Sequence, residues 1–207
     1  MPLYKSIAVD NETHILIWKI TESESELTQG ISLGKNSTNR IQAMKSEMHR
    51  KAYLSVRHLL AIAQYTDQDL TYTKVGKPEL SDGVFISITH SHQFAAIILS
   101  AKPVGIDIEK QRPKIESIAK KFICDKEREW LKSMQNDVKF LTVIWGAKEA
   151  IYKIYGQQGL SFKQHIEIAP FSSEPLFTRA SVHFNEEIDF FDVFYLEFED
   201  FTCVYTF

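Results

Sequence analysis

Hydrophobic and polar positions along the chain follow two different periods, and the change from one to the other outlines the secondary structure. Residues 13–19 form an apolar run of strand length. From Thr38 to about Tyr65 the apolar positions recur near helical spacing, which predicts one long helix. The sequence Gly-Lys-Pro at residues 76–78 then breaks the pattern. The first part of the chain is therefore predicted to be a strand, a long helix and a turn.

The rest of the chain repeats this plan. Strand-like segments are followed by helical ones, of which the longest runs from Asp137 to Tyr155 and ends at Gly156, and the tail returns to strands. We therefore predict an α+β protein of two pseudo-symmetric halves, residues 1–102 and 103–207, each a long helix packed on a small antiparallel sheet. The remaining predicted strands are 84–89, 94–99, 104–109, 165–168, 180–184, 190–198 and 202–206, and the remaining helices are 115–122 and 126–134.

Composition narrows the class of protein. The chain has 207 residues, of which 44% are hydrophobic and 25% are charged, and its net charge is −3. These values are typical of a folded protein and exclude a disordered tail, a collagen-like repeat or a coiled coil as the whole chain. A near-neutral charge also argues against a protein that coats nucleic acid, because that function needs a strongly basic surface.

Two features indicate the compartment. Residues 1–5 lack the pattern of a secretory signal, and no run approaches the ~20 apolar residues that a membrane span requires. The two cysteines, Cys124 and Cys203, have neither disulfide-scaffold nor zinc spacing. We expect a cytoplasmic protein with two buried thiols, which neither enters a membrane nor binds nucleic acid.

The charges are distributed unevenly. Residues 35–58 carry six Lys or Arg and one acid, whereas residues 171–207 carry one basic residue and eight acidic ones. The basic stretches have two interpretations, either solvated helix faces or the binding site of an anionic ligand. The distribution alone does not choose between them.

Residues 104–109, Val-Gly-Ile-Asp-Ile-Glu, alternate strictly between apolar and other positions. In a strand, Gly105, Asp107 and Glu109 therefore share one face. The two carboxylates lie about 6.6 Å apart along the strand, at ~3.3 Å per residue, which lets them close around one hard cation. Gly105 beside them leaves room for a ligand. The alternative is an amphipathic edge strand whose acids are solvated.

Residues 145–153, Trp-Gly-Ala-Lys-Glu-Ala-Ile-Tyr-Lys, lie inside the last long helix. Trp145, Glu149 and Lys153 form one stripe at i, i+4 and i+8, and Lys148 stands about 100° around the helix. A Glu–Lys pair at this spacing can simply support the helix by about 0.2–0.5 kcal/mol. The functional alternative makes Glu149 a third metal ligand and lets Lys148 and Lys153 neutralise phosphates.

Residues 85–92 run from a strand into hydroxyl and imidazole side chains. They include Thr89, His90 and Ser91. A hydrolase triad is not indicated, because the sequence has no G-x-S-x-G elbow and no evident orienting acid. A histidine at a strand end could instead donate a hydrogen bond to a phosphate.

The order of these motifs resembles that of the 4′-phosphopantetheinyl transferases, specifically the long, monomeric type that activates surfactin synthetase. The resemblance covers about residues 38–160, and residues 122–127 also resemble a family segment. It implies transfer of phosphopantetheine from coenzyme A to a serine of an apo acyl or peptidyl carrier protein. It also implies two similar α+β halves with the cofactor between them.

The resemblance further implies roles for individual residues. Three carboxylates would hold Mg²⁺ against the diphosphate of coenzyme A: Asp107, Glu109 and Glu149. Lys148 and Lys153 would contact its phosphates, and Lys153 would also be one of the catalytic residues. Glu149 is the first choice for the base that accepts the serine proton, and Glu127 is the second. The adenosine-phosphate end would contact Arg57, Lys77, Thr89 and His90.

Two other classes of function remain open from the sequence. One is a non-catalytic relative that binds coenzyme A or a carrier protein, and the other is a different Mg²⁺-dependent phosphohydrolase. The sequence does not identify the carrier or its pathway, the docking surface, the base, or the tolerance for acyl-coenzyme A. A duplicated chain of this kind is expected to act as a monomer.

Overall fold

The computed structural model describes residues 3–134, 137–156 and 159–207. The chain divides into two compact units, Met1–Pro103 and Val104–Phe207. Both contain helices and antiparallel sheets, so the protein is of the α+β class. Two of the residues used to predict the absence of a secretory signal, Met1 and Pro2, lie outside the described residues. No helix in the described parts of the chain is both long enough and apolar enough to cross a membrane.

The first unit contains a four-stranded antiparallel sheet. Its strands are β1 (Leu3–Ala8), β2 (Thr13–Lys19), β5 (Phe85–Ser91) and β6 (Phe94–Ser100), and they lie in the order β1-β2-β6-β5. The strands predicted at 13–19, 84–89 and 94–99 are confirmed, with small shifts at their ends. The first strand along the chain has no strict alternation of polar and apolar residues and was not predicted.

The single helix predicted from Thr38 to Tyr65 is wrong, because two helices occupy this stretch. Helix α2 (Lys35–Ala43) ends where Met44 takes an extended conformation, with ψ of 118°. Ser46 then caps α3 (Glu47–Ile62), and its side chain accepts a hydrogen bond from the backbone N–H of His49. A hydroxyl at this position starts a new helix by satisfying a free amide.

Helix α3 packs across strands β2 and β6 and buries its apolar face against them. A short helix, α1 (Glu24–Leu27), precedes α2, and a two-stranded ribbon of β3 (Leu70–Tyr72) and β4 (Pro78–Leu80) follows α3. The buried residues of α3 in this core are Ala52, Leu54, Val56, Leu59 and Leu60.

The second unit contains a five-stranded antiparallel sheet. Its strands are β7 (Gly105–Lys110), β8 (Ile166–Ile168), β9 (Phe177–Phe184), β10 (Glu187–Phe198) and β11 (Phe201–Thr206), and they lie in the order β7-β11-β10-β9-β8. The strand predicted at 104–109 is confirmed, and so are the strands of the tail. The first strand of the unit lies at one edge, beside the last strand of the chain.

The long helix α6 (Asp137–Tyr155) confirms the predicted helix and ends where the sequence predicted. It lies over β7 and β11 and forms the core of the unit with them. The helix predicted at 115–122 is shorter than expected and finishes as a 3₁₀ turn. The other helices are α4 (Lys114–Ile118), α5 (Asp125–Leu131) and α7 (Phe162–His165).

Two glycines allow α6 to approach the sheet closely. A Cβ atom on Gly105 would lie 1.9 Å from the backbone oxygen of Ala150, and one on Gly146 would lie 2.7 Å from a methyl group of Val204. The space beside Gly105 is therefore taken by the helix backbone. The expectation that this glycine leaves room for a ligand is wrong, because the helix fills that room.

Candidate functional site

Gly105, Asp107 and Glu109 share one face of β7, as the alternation predicted, and the structure places this face against α6. Gly105 contacts the backbone of Ala150. Further along the strand, Glu109 accepts a hydrogen bond of 3.3 Å from the indole N–H of Trp145. Asp107 lies between them, with its Oδ2 atom 3.8 Å from the place that a Cβ on Gly146 would take. The strand and the helix therefore bring their polar residues to one surface.

Lys153 places a positive charge on this surface. Its Nζ donates to Oδ1 of Asp107 over 2.8 Å and to the backbone oxygen of Ile106 over 2.7 Å. The Asp107 side chain is 9% exposed and that of Lys153 is 27% exposed. The lysine thus compensates one buried carboxylate while part of its own side chain remains accessible to solvent.

Glu149 lies in the electrostatic field of both strand carboxylates. Burial and repulsion from Asp107 raise its pKa to about 7; Glu109 adds to the increase and Lys153 opposes it. A carboxyl group with this pKa gains or loses a proton near neutral pH, as a general base does.

These carboxylates have the right chemistry for a hard divalent cation, because Mg²⁺ prefers oxygen ligands and usually keeps several waters. Within the described residues, however, no three His, Cys, Asp or Glu side chains are arranged closely enough to hold a metal ion. The donor set fits magnesium, but Lys153 holds one of the oxygens that the cation would need.

Lys148 points away from this surface into the core of the second unit. Its ammonium donates to the backbone oxygens of Phe122 and Phe162 and to the Glu127 carboxylate, over 2.7, 3.0 and 2.8 Å. Both partners of the ion pair are 0% exposed. Burial lowers the pKa of Lys148, and the Glu127 carboxylate opposes that change.

The carboxylate of Glu127 is fully engaged by its neighbours. Besides Lys148, it accepts hydrogen bonds from the backbone N–H groups of Cys124 and Ile168. In this arrangement neither Lys148 nor Glu127 reaches a ligand, which corrects the expectation of a phosphate contact and of a second candidate base. The pair joins α5, α6 and the end of β8 instead.

Arg57 occupies a comparable internal position in the first unit. Its Nε donates to Asp67 over 2.8 Å, its Nη2 donates to the Tyr53 hydroxyl, and the side chains of Arg57 and Asp67 are 3% and 4% exposed. Burial alone would raise the pKa of Asp67, but hydrogen bonds from Ser37, Arg57 and the Gly34 amide outweigh it and lower the pKa. Arg57 therefore organises this corner of the unit.

This network forms one wall of a cavity of about 510 Å³. Arg40 lies over the rings of Tyr53 and Tyr72, with its guanidinium carbon 5.5 and 4.7 Å from their centroids. Lys35 is exposed beside it, at the start of α2. Asp67 is the one acid among the residues that line the cavity, and its charge is paired internally, so the cavity is cationic.

The other residues expected at the adenosine-phosphate end also lie in the first unit. Thr89 is buried in β5, His90 is exposed near the end of that strand, and Lys77 is half-buried before β4. The ring of His90 lies 5.6 Å from that of His49 in the first turn of α3. The His49 contact was not predicted, because the two residues are distant in sequence.

Sequence reasoning also missed Lys35 and Arg40 as individual residues. Both belong to the basic stretch 35–58, so the charge count was the one signal that included them. Their place at the cavity depends on Tyr53, Tyr72 and the buried Arg57–Asp67 pair. No spacing rule in the sequence shows that these residues come together. Both cysteines are free thiols, but Cys124 is half-buried rather than buried as expected, whereas Cys203 is buried.

Comparisons with known proteins point in one direction. The sequence model of the 4′-phosphopantetheinyl transferase superfamily matches residues 103–205. The 4′-phosphopantetheinyl transferase HetI of Nostoc sp. (strain PCC 7120 / SAG 25.82 / UTEX 2576) is 28% identical over 185 residues, which cover 81% of this chain and 78% of that protein. A 4′-phosphopantetheinyl transferase of Bacillus subtilis is 36% identical over 92 residues, 44% of this chain and 40% of the relative.

A solved structure is also similar in part. The holo-[acyl-carrier-protein] synthase of Thermotoga maritima aligns with a TM-score of 0.43 and 20% identity, over 50% of this chain and 61% of that chain. Likeness at this level supports no conclusion about function. The sequence matches, together with the carboxylates that β7 and α6 bring to one surface, are the findings that bear on activity.

Proposed function

Because the chain belongs to the 4′-phosphopantetheinyl transferase superfamily, we propose that it transfers phosphopantetheine from coenzyme A to a serine of an apo carrier protein. The serine oxygen attacks the phosphorus on the pantetheine side of the diphosphate. The bond from that phosphorus to the bridging oxygen breaks, and adenosine 3′,5′-bisphosphate leaves. The main support is that Asp107, Glu109 and Glu149 share one surface inside the matched residues.

The proposed metal is Mg²⁺, and its ligands would be Asp107, Glu109 and Glu149. When bound, a divalent cation neutralises the negative charge of the diphosphate. The Trp145 indole supports this site by holding Glu109, and Gly105 with Gly146 supports it by bringing α6 against β7. No residue outside the second unit is needed to supply these carboxylates.

Glu149 is the proposed base for the serine hydroxyl, directly or through a water molecule. Its half-buried position and its pKa of about 7 support this role. Glu127 is not retained as a candidate, because its carboxylate is completely buried and bonded to Lys148 and two backbone amides. Lys153 is the proposed contact for a phosphate of coenzyme A.

The cationic cavity of the first unit is the proposed receptor for the adenosine-phosphate end. Arg40 and Lys35 would contact the phosphate, because they are exposed at the cavity and Asp67 is already paired. Arg57 would act by holding the cavity wall. Lys77, Thr89 and His90 remain proposed contacts for the same end of coenzyme A.

The proposed carrier partner is an acyl or peptidyl carrier protein with acidic residues around its serine. The segment that follows β7 supports this choice because Arg112, Lys114, Lys120 and Lys121 are all exposed. A basic patch speeds and orients the encounter with an acidic partner. We further propose that the protein acts as a monomer in the cytoplasm, to which the two free thiols are suited.

Internal duplication is proposed as the origin of the fold. Each unit places one long helix, α3 or α6, on an antiparallel sheet. Superposing the two units after separate structure determination tests this idea. A match limited to the long helix would argue against duplication.

Mass spectrometry of a carrier protein tests the function. The purified chain is incubated with an apo carrier, coenzyme A and Mg²⁺, and the carrier should gain the mass of one phosphopantetheine. Asp125→Asn is the matched control for Asp107→Asn and should leave the transfer unchanged. Asp125 is an acid of the same unit, and its side chain is 88% exposed. No gain with several acyl and peptidyl carriers would remove the transferase function and favour a binding protein. Phosphate release from coenzyme A alone would indicate a phosphohydrolase.

A further inference from the structure

Gln111 is the first residue after β7, and three hydrogen bonds hold it in place. Its backbone N–H donates to the carbonyl of Asp200, in the turn between β10 and β11, over 2.8 Å. Its side-chain amide donates to the carboxylate of Glu197 on β10 over 2.7 Å and to the hydroxyl of Thr202 on β11 over 3.0 Å. The chain that leaves β7 is therefore fixed at this residue by the two neighbouring strands.

The Glu197 carboxylate connects Gln111 to the long helix. Its Oε1 accepts from the Gln111 amide, and its Oε2 accepts from the ammonium of Lys139, in the first turn of α6, over 2.7 Å. Thr202 is buried, and the Glu197 side chain is 28% exposed. A hydrogen bond to a charged acceptor is stronger than one between neutral groups. The Gln111 amide therefore has a well-defined place between the sheet and α6.

The segment that follows Gln111 has little core of its own. Residues 112–121, called the basic segment below, contain four basic residues and one acid. None of its residues is fully buried, although Ile115 and Ile118 pack partly against the core of the unit. At its far end lies Phe122, which is 0% exposed. A segment with few buried contacts has low local stability, so its order depends on its two ends, Gln111 and Phe122.

We propose that Gln111 is a positioning residue for the carrier protein, because it holds the start of the basic segment in the orientation that meets an acidic partner. This inference rests on the proposed function, since the partner is the carrier of the transfer reaction. A segment that is already ordered loses less conformational entropy on binding, so its affinity for the partner is higher. Gln111 is not one of the residues proposed to contact coenzyme A, so its loss should affect the carrier alone.

Hydrogen–deuterium exchange of the free chain, followed by mass spectrometry of its peptides, tests the anchoring. Gln111→Leu removes both side-chain hydrogen bonds, one of them to a charged acceptor, so amide exchange in residues 112–121 should rise about ten-fold. Peptides from α3 should exchange as before. Gln164→Leu is the matched control, because Gln164 is an exposed glutamine of the same unit, and it should change the exchange of the basic segment less than about two-fold.

Steady-state kinetics with an apo carrier protein tests the consequence for the partner. In Gln111→Leu the KM for the carrier should rise about ten-fold, while kcat and the KM for coenzyme A should change less than about two-fold. A loss of folded protein has a different signature, because it lowers kcat and leaves both KM values unchanged. Gln164→Leu should leave all three constants unchanged.

Exchanging the two partners of the hydrogen bond provides a rescue. Gln111→Glu places two carboxylates against each other and should raise the KM for the carrier at least as much as Gln111→Leu. In the double variant Gln111→Glu/Glu197→Gln, the amide at position 197 donates to the carboxylate at position 111, and its oxygen still accepts from Lys139. The KM for the carrier should return to within about three-fold of that of the unsubstituted chain.

Several results would overturn the role of Gln111. They are unchanged exchange of the basic segment in Gln111→Leu, equal rises in the KM for the carrier and for coenzyme A, or no recovery in the double variant. Circular dichroism establishes that each variant is folded; if Gln111→Leu is not, the comparison of Gln111→Glu with the double variant decides. Transfer with an unchanged carrier KM in Gln111→Leu removes the role of Gln111 alone, whereas no transfer by the unsubstituted chain removes the proposed function as well.

Discussion

Gly105 lies directly beneath Ala150, so close that a Cβ atom at residue 105 would fall 1.9 Å from the Ala150 carbonyl oxygen. No two non-bonded heavy atoms tolerate that distance, so the backbone would have to move. The contact fixes the height of α6 above β7, two residues before Asp107 on the strand and one residue after Glu149 on the helix. A packing contact therefore sets the separation of the candidate ligands.

Gly105→Ala should destabilise the protein by about 3 kcal/mol or more, at or above the upper end of the usual cost of overpacking. Gly146→Ala is the matched comparison, because its added methyl meets the Val204 side chain at 2.7 Å rather than a backbone carbonyl. A side chain can rotate, so we expect a cost of about 1–3 kcal/mol. Urea unfolding measures both free energies. A larger loss for Gly146→Ala would contradict the proposed packing.

Lys148→Met should cost about 3–5 kcal/mol, because it leaves the fully buried Glu127 carboxylate without its cation. Lys126→Met provides the contrast. Lys126 forms an ion pair of similar length with Glu167, but its side chain is 76% exposed, so we expect a loss below about 1 kcal/mol. Equal shifts in the urea midpoints of the two variants would show that the buried Lys148–Glu127 pair contributes no more to stability than the exposed Lys126–Glu167 pair.

Glu149 should make the free energy of unfolding depend on pH. Its pKa rises from 4.5 to about 7 on folding, so the folded chain holds the proton more tightly than the unfolded chain. The resulting stability is present below about pH 4.5 and is lost as the pH rises to about 7, by up to about 3 kcal/mol.

Urea unfolding in chelator between pH 4.5 and 8 measures this loss. Glu149→Gln cannot ionise and should flatten the curve within the window, with little further change above pH 7. A variant curve parallel to that of the unsubstituted chain would show that another group titrates there.

Asp107→Asn and Glu149→Gln should each reduce transfer to a carrier protein by about a hundred-fold or more, since even the outer partners of metal ligands are worth about 10- to 100-fold. Both replacements keep the size of the side chain and remove its charge. Mass spectrometry of the carrier measures the rate, and circular dichroism establishes that the variants are folded. Near-normal transfer by either variant would remove that residue from the site.

Arg40→Gln should raise the KM for coenzyme A several-fold and leave the stability almost unchanged, because Arg40 is exposed at the cavity. Arg57→Gln should instead lower the stability by about 3–5 kcal/mol, since it leaves Asp67 buried without its cation. Arg179→Gln, at an ion pair whose side chains are 73% and 50% exposed, serves as the control for both measurements. A stability loss in Arg40→Gln as large as that in Arg57→Gln would contradict the separate roles.

The sequence by itself determined the local structure and the candidate chemistry. The period of two in residues 104–109 placed Asp107 and Glu109 on one face of a strand, and the helical period placed Trp145, Glu149 and Lys153 on one stripe. Such periods follow from backbone geometry alone, which is why these elements are found where they were expected. The order of the motifs was also sufficient to suggest the family.

Only the tertiary structure decided what each polar side chain meets. Lys148 and Glu149 are adjacent in sequence, yet one enters a buried ion pair with Glu127 and the other stays beside Asp107. A helical period states that two residues point in different directions, but it does not state which distant segment lies in each direction. That choice depends on the packing of α6 against β7 on one side and α5 on the other, and the closest approach is permitted by Gly105.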